Sequence, residues 1–332
     1  MAQSNAPSIA LLGSVVDTPG PPLGARHRLS FHGTGSSLFL LILKNVLLTI
    51  ITLGIYAPWA ATERRKYVWQ NAEFHGQRFI YGGTGLELFW GYLKVLVGYA
   101  VFLGVPALVR QVSPDVANVV QIAFALGLLA LIPFAVYWSR AYLLSRSTWR
   151  GIHFSMEPGA RSFARTFLVG YLLSVVTLGL YMPVWLNKLR KITTDRSRFG
   201  SHAFSYDGDD FEVWVMSMKG FLLSIVTLGI YYFWFRAELS RYQLEHTRFG
   251  RARGRLDLTG GDVLKFTVIY LLGTTLSLGL AFPWVATYVL RSVLERTSFE
   301  GHIDFAAITQ SEARGDATGD GLADAMDVGL SI

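Results

Sequence analysis

A short apolar motif that recurs along this chain constrains its architecture more than any other feature. Copies begin at Thr52, Thr177, Thr227 and Ser277, and each closes a long apolar run. The last three copies follow one another at about 50 residues, an interval typical of repeat architectures. We therefore predict a chain of repeated units, each containing an apolar helix.

The residue types in the motif predict the end of one helix and the start of the next. Glycine is common just past a helix C-terminus, because it enters the left-handed region without a Cβ clash. Proline suits the first turn of the next helix, and tryptophan is enriched at membrane–water boundaries. We favour a turn between packed helices, with a broken transporter helix as the alternative. The motif residues are Gly54, Pro58, Trp59, Gly179, Pro183, Trp185, Gly229, Trp234, Gly279, Pro283 and Trp284.

The composition identifies the environment of these helices. Of the 332 residues, 52% are hydrophobic and 16% are charged, and the mean hydropathy is +0.37. Such a chain is too apolar for an ordinary soluble protein of this length. The net charge of +7 is carried by Arg and Lys that flank the apolar runs, which predicts anionic membrane lipid as the partner and not nucleic acid. The absence of cysteine excludes disulfides and thiol catalysis.

Short alternating segments with Gly-rich turns precede the apolar runs and predict β-strands. The predicted fold class is a mainly α membrane protein. Its repeated unit is a short β-strand, an apolar helix, a Gly/Pro break and a basic helix, with the strand segments available to form a cytoplasmic sheet. We assign residues 1–25 to a disordered tail, 26–308 to the repeat-built membrane domain and 309–332 to an acidic flexible tail. The units lie near 29–83, 79–158, 154–208, 204–258 and 256–305.

Two arrangements in the membrane fit this pattern. Simple alternation gives six spans, near 37–59, 88–109, 116–143, 163–186, 213–236 and 263–290. It puts basic clusters on both faces, which disfavours insertion. In the one-sided arrangement each motif is the tip of a re-entrant helical hairpin, and only the second unit, which lacks the motif, crosses the membrane. All strand segments then share the cytoplasmic side, and we favour this arrangement.

Several segments together resemble the YjgN-like family of bacterial inner-membrane proteins. They are Phe31–Gly35, Thr52–Trp59, Arg64 with Tyr67, and Phe79–Leu88 with its Gly-Thr-Gly turn. The combined pattern is specific, and it extends over nearly the whole chain between Phe31 and Phe305. The resemblance implies a multi-pass protein of the bacterial inner (plasma) membrane. It brings no established activity, cofactor or catalytic residue.

The sequence contains no recognisable catalytic or cofactor-binding pattern, so we expect neither an enzyme nor a cofactor. His75, His153, His202 and His302 fall near glycines of the strand segments, but a metal site would need them to converge, and we expect none. The Gly-Thr-Gly turns lack the spacing of phosphate loops and predict strand-to-helix turns. The acidic segment 316–327 matches part of a calcium loop but lacks its final glutamate.

Lys44 and Lys219 lie inside apolar runs, each at the same distance before its motif. Ionisable groups at such positions are costly and often mark transport pathways, unless the side chain extends to the headgroups. Both lysines are therefore candidate pathway residues. Our first functional hypothesis is a homo-oligomeric channel or transporter for an unidentified solute. The alternative is a non-catalytic scaffold that organises lipid or partner proteins.

Overall fold

The computed structural model describes residues 26–305 and 308–310. In this part of the chain, a strand, two helices and a second strand follow one another five times. The strands are β1 (Arg26–Phe31), β2 (Ala72–Phe74), β3 (Gln77–Tyr81), β4 (Ser147–Trp149), β5 (Ile152–Met156), β6 (Ser197–Phe199), β7 (His202–Tyr206), β8 (Thr247–Phe249), β9 (Ala252–Leu256) and β10 (Thr297–Glu300).

These strands close into one antiparallel barrel. Each strand pairs with the strands before and after it in the chain, and β1 also pairs with β10, where Arg26 and Glu300 form an ion pair at 2.5 Å. The sequence predicted strands that could form a sheet, but not its closure. Pairing of the first strand with the last leaves no free edge, so the sheet is a barrel.

Aromatic side chains fill the barrel. One layer comes from the same position of five alternate strands, and its neighbouring rings lie 5.5–6.1 Å apart, as for Phe74 with Trp149 and for Phe199 with Phe249. A second layer of Leu29, Phe79, Phe154 and Phe204 packs against it. The barrel interior is therefore a packed core in the described part of the chain. The first layer consists of Phe74, Trp149, Phe199, Phe249 and Phe299.

The segment after β10 covers the mouth of the barrel. β10 ends at Glu300. Gly301 (φ 129°) turns the chain, and the backbone carbonyl of Thr309 accepts a hydrogen bond from the Ser201 N–H at 2.9 Å. The side chains that enter the core are Ile303, Phe305 and Ile308.

Pairs of helices connect the strands at one end of the barrel. A pair of helices follows each odd-numbered strand, and a tight turn follows each even-numbered strand before β10. All five helical hairpins therefore leave the same end of the barrel. Each helix packs against the next, and the last against the first, which makes a closed ring. The helices are α1 (Gly35–Ile51), α2 (Ala57–Asn71), α3 (Gly85–Arg110), α4 (Pro114–Ser145), α5 (Ala160–Val176), α6 (Met182–Asp195), α7 (Asp210–Val226), α8 (Tyr232–Glu245), α9 (Gly260–Leu276) and α10 (Phe282–Glu295).

One hairpin is much longer than the other four. The helices α3 and α4 have 26 and 32 residues, and they are the two described helices that are long and apolar enough to cross a membrane. The first helices of the other hairpins have 17 residues. Four of the six spans expected from simple alternation are each divided by a turn, for example 37–59 between α1 and α2. The spans expected near 88–109 and 116–143 fall in α3 and α4.

Candidate functional site

The tips of the four short hairpins share one backbone conformation. In the first copy, α1 ends at Ile51, Leu53 has a φ of 51° and Gly54 has a φ of 92°. The Gly54 N–H donates to the Thr49 carbonyl at 2.7 Å, which closes a Schellman-type turn. The sequence analysis placed glycine at the left-handed cap, but leucine occupies that position and glycine follows it. Leu178, Leu228 and Leu278 repeat this geometry.

The threonine of the motif has a role that the sequence analysis missed. Thr52 Oγ1 donates to the Leu48 carbonyl at 2.7 Å and accepts from the Tyr56 N–H at 3.0 Å. It therefore joins the end of one helix to the start of the next. Unpaired backbone groups are expensive in an apolar medium, so this hydroxyl lets the chain turn there. In the other three copies the hydroxyl also accepts a hydrogen bond from the backbone N–H of the residue four positions later. These hydroxyls belong to Thr177, Thr227 and Ser277.

The leucine at each tip is almost completely exposed. Relative exposures of these four side chains lie between 93% and 95%. A left-handed conformation costs a residue other than glycine about 1–3 kcal/mol, so a large apolar residue is held there at a cost. Each short hairpin thus presents an apolar tip to its surroundings. The side chains are those of Leu53, Leu178, Leu228 and Leu278.

The motif tryptophans lock helices together. A Cβ atom at Gly85 would lie 2.4 Å from the Trp59 ring, so only glycine leaves room for the indole at the start of α3. Trp234 and Trp284 lie in the same way against Gly260 and Gly35, the first residues of α9 and α1. These tryptophans join one hairpin to the next, besides any role at a membrane boundary. Trp185 instead packs within its own hairpin, against Gly170.

The motif prolines begin the second helix of their hairpins. Pro58, Pro183 and Pro283 lie in the first turns of α2, α6 and α10, where a missing N–H leaves no hydrogen bond unmade. Pro133 is fully buried, as Pro58 is, but it lies inside the long helix α4. The long hairpin therefore keeps the proline of the motif and lacks the turn.

The two candidate pathway lysines each face a glutamate on the other helix of their hairpin. Lys44 Nζ lies 2.6 Å from Glu63 Oε2, and Lys219 Nζ lies 3.9 Å from Glu238 Oε1. Both lysine side chains are about half exposed, at 52% and 56%. Lys94 is also the tenth residue of its helix, as Lys44 and Lys219 are. Lys94 is not among the candidate pathway residues, although an alignment of Gly85 with Gly35 in the sequence identifies it.

The histidines of the strand segments lie at the mouth of the barrel. His75 stacks on His27, with ring centroids 4.2 Å apart, and both rings lie against Phe305. Burial lowers the pKa of His75, and the neighbouring His27 and Arg150 lower it further. His202 and His302 line a cavity of about 330 Å³. Among the described residues there is no cluster of three or more metal ligands, and the calcium-like segment lies outside them.

The strand-to-helix turns provide helix caps. Thr34 and Thr84 of the Gly-Thr-Gly turns cap α1 and α3, and Glu87 completes a capping box with Thr84. Asp209 caps α7 by accepting from the N–H groups of Phe211 and Glu212. These side chains satisfy the first amides of α1, α3 and α7, which accounts for the polar turns before these three helices.

Comparison with known proteins identifies the family. The family model described as "Bacterial protein of unknown function (DUF898)" matches residues 26–221, 201–256 and 235–325. Inner membrane protein YjgN of Escherichia coli (strain K12) is 39% identical over 137 residues, which are 41% of this chain and 33% of that protein. The protein of that name from Salmonella typhimurium (strain LT2) is 31% identical over 211 residues, 54% of this chain and 52% of that protein.

These alignments span about half or less of the length of the relatives. No solved structure matches the chain. The resemblance to the YjgN-like family is confirmed, both by the family match and by relatives that carry that name. The chain therefore belongs to the bacterial family DUF898 and is an inner-membrane protein similar to YjgN.

Proposed function

We propose that this protein is a scaffold of the inner membrane, which organises lipid or partner proteins and does not conduct a solute. In this proposal the barrel lies in the cytoplasm and the α3–α4 hairpin crosses the bilayer. The four shorter hairpins enter only the cytoplasmic leaflet. The observation that carries the proposal is the difference in hairpin length on one shared barrel.

Charged side chains support a common depth for the five hairpins. Lys44, Lys94 and Lys219 are each the tenth residue of a helix that starts at the barrel, so they lie at similar heights. From Lys94, α3 continues for about 24 Å to Arg110 at 1.5 Å per residue, close to the ~30 Å thickness of the hydrocarbon core. From Lys44, α1 continues for only about 10 Å to its end. The short hairpins therefore reach about the depth of one leaflet.

The tips differ in polarity as this placement requires. The turn between α3 and α4 contains Gln111 and Ser113, with Arg110 and Asp115 beside it, and it can be hydrated on the far side. Each short hairpin instead ends in an exposed leucine, and moving such a side chain from water into an apolar medium is favourable by about 1.5–3 kcal/mol. The basic residues beside the barrel, such as Arg64 and Arg78, support a cytoplasmic barrel by the positive-inside rule.

A channel or transporter is the second candidate, and Lys44 and Lys219 remain its candidate pathway residues. It is favoured by the exposed side chain of Arg140, a charged residue within an apolar helix. Two observations weigh against it. The barrel below the helix ring is filled by aromatic side chains, and each lysine lies beside a glutamate of its own hairpin. A solute would therefore meet a packed core on the barrel axis.

The absence of native cysteine allows a direct test of the topology. Single cysteines are introduced at Val112 in the long tip, at Leu228 in a short tip and at Arg251 in a barrel turn. We expect a membrane-impermeant maleimide to label the Val112→Cys variant in spheroplasts, and the Arg251→Cys variant only after lysis. The Leu228→Cys variant should react only after detergent is added. Labelling of Leu228→Cys from the periplasmic side would show that the short hairpins cross the membrane.

The role itself is tested in vesicles that contain the purified protein. We expect energy transfer from tryptophan to pyrene-labelled phosphatidylglycerol to exceed that to pyrene-labelled phosphatidylcholine, which reports local enrichment of anionic lipid. We also expect a panel of ions, sugars and amino acids to leak no faster than from protein-free vesicles. Saturable flux of any of these solutes, together with equal energy transfer to both lipids, would replace the scaffold with a transporter.

A further inference from the structure

Three arginines occupy one structurally equivalent position on consecutive second helices of the hairpins. Arg65, Arg140 and Arg190 each lie two turns past the proline of α2, α4 and α6. The same position holds Ser240 in α8 and Leu290 in α10. Since the fold accepts serine and leucine there, packing of the repeat does not require a cation. The three arginines therefore need an explanation specific to their side of the ring.

This position faces the inside of the molecule. Leu290 lines an apolar cavity of about 280 Å³ together with Phe79 and Phe154 of the barrel. Arg65 Nη1 donates to the Tyr81 hydroxyl at 3.1 Å, and the Arg190 guanidinium lies 5.8 Å from the centre of the Tyr206 ring. Both tyrosines are the last residues of their strands and are buried. The arginines thus lie where the helix ring meets the barrel.

Two of these charges lack a compensating carboxylate. Among the described residues, neither Arg140 nor Arg190 makes an ion pair, and the positive charge of Arg190 acts unfavourably on the charged form of Arg140. Arg190 Nε is buried without a hydrogen-bond partner. Burial raises the pKa of Tyr206 to about 12, so the phenol beside Arg190 is neutral at physiological pH and supplies no counter-charge.

Protein atoms surround the guanidinium group of Arg140, and part of its side chain is accessible to solvent. Surrounding atoms desolvate its guanidinium, yet its side chain retains an exposed surface, as expected of a group that lines an internal space. By contrast, arginines at the barrel rim have acidic neighbours, such as Glu157 for Arg198 and Asp207 for Arg248. Placing like charges together away from bulk water is unfavourable unless an anion joins them.

We infer that Arg140 and Arg190, with Arg65 at the neighbouring equivalent position, form a binding site for a phosphate group inside the helix ring. A guanidinium presents paired N–H donors that match the oxygens of a phosphate, and two such groups can share one anion. The phosphate belongs either to a lipid headgroup or to a soluble molecule. The site does not depend on the scaffold role, because a transporter with the same ring would keep it.

The experiment measures binding to the delipidated full-length protein in a non-ionic detergent. Wild type and the double variant Arg140→Leu/Arg190→Ser, which carries residues found at this position in α10 and α8, are titrated calorimetrically with inorganic phosphate and with dihexanoyl phosphatidylglycerol. Arg198→Gln/Arg248→Gln removes the same charge at the barrel rim and is the matched control. Circular dichroism and thermal unfolding establish that each variant folds.

We expect the double variant to bind its anion at least tenfold more weakly, with the control unchanged. Saturable binding of both probes in competition assigns the site to phosphate in general. Binding of phosphatidylglycerol alone assigns it to lipid, and binding of inorganic phosphate alone assigns it to a soluble ligand. If wild type binds neither probe, or if the double variant binds as tightly as wild type, the site does not exist. If the rim control weakens binding equally, the effect is one of net charge and the inference fails.

Discussion

The long hairpin and the four short hairpins are built on the same frame but end differently. Both kinds leave the same end of the barrel, and Pro133 in α4 is fully buried, as Pro58 in α2 is. The short hairpins turn at a Thr-Leu-Gly or Ser-Leu-Gly sequence with an exposed leucine, whereas the long one continues to a polar tip. This contrast indicates that the motif determines how far a hairpin extends, while contacts near the barrel determine how it packs.

We expect the largest difference in stability from a charged residue at a hairpin tip, because it should destabilise a short hairpin and leave the long one nearly unchanged. If short tips lie in the hydrocarbon, Leu228→Asp should destabilise the protein in lipid vesicles by about 3 kcal/mol, the cost of an acidic side chain inside the bilayer. Val112→Asp in the long tip should change stability little, because that tip is hydrated. Unfolding by urea, followed by fluorescence in vesicles, measures both variants. Equal effects at the two tips would place them in the same environment.

A larger residue at the contact between two neighbouring hairpins tests a feature that the long and the short hairpins share. Gly85→Val should cost about 1–3 kcal/mol, as overpacking does in a filled core, because a Cβ there would lie 2.4 Å from the Trp59 ring. Gly98→Val on the same helix is the control, since a Cβ at Gly98 has no neighbour within 4 Å. Thermal unfolding in detergent compares them. A Gly85 variant as stable as the Gly98 variant would mean that the junction does not hold the ring together.

The threonine of the short tips should matter less than the junction. Thr227→Val removes the acceptor for the Tyr231 N–H and the donor to the Leu223 carbonyl, so we expect a loss of about 1–2 kcal/mol from unpaired backbone groups. Thr267→Val is the control, because its hydroxyl bonds only to the carbonyl of its own helix at Val263. Hydrogen exchange at the tip amides should rise in the first variant alone. If hydrogen exchange at the tip amides is unchanged in Thr227→Val, the threonine does not bridge the two helices of the hairpin.

The smallest expected effect is a pH dependence at the opposite end of the molecule. Because the folded-state pKa of His75 is lowered by burial, by His27 and by Arg150, the folded protein binds this proton less readily than the unfolded chain. Stability is therefore complete above the ordinary histidine pKa and is lost as the pH falls through the lowered value. Trp149 fluorescence, which reports on Phe305 nearby, should change as the pH falls below the ordinary histidine pKa. His75→Gln should weaken this change, and His153→Gln should leave it intact.

The sequence predicts the period of the chain, the helix ends near the motif glycines, the two long apolar helices and the membrane class. These features depend on local chemistry: on residues that favour turns and on runs of apolar side chains. Thr52, Gly54 and Pro58 act within one turn, so their spacing is readable along the chain. The resemblance of the combined segments also identified the family.

Only the tertiary structure shows the closure of the barrel, the tryptophan contacts and the grouping of the arginines. A strand of three residues has too short a sequence pattern to specify which strand it pairs with. β1 pairs with β10 only because five units complete the barrel. Arg140 and Arg190 are far apart in sequence and acquire a shared environment when α4, α5 and α6 pack side by side. At each tip both the leucine and the glycine after it have a positive φ, a backbone geometry that the motif alone does not specify.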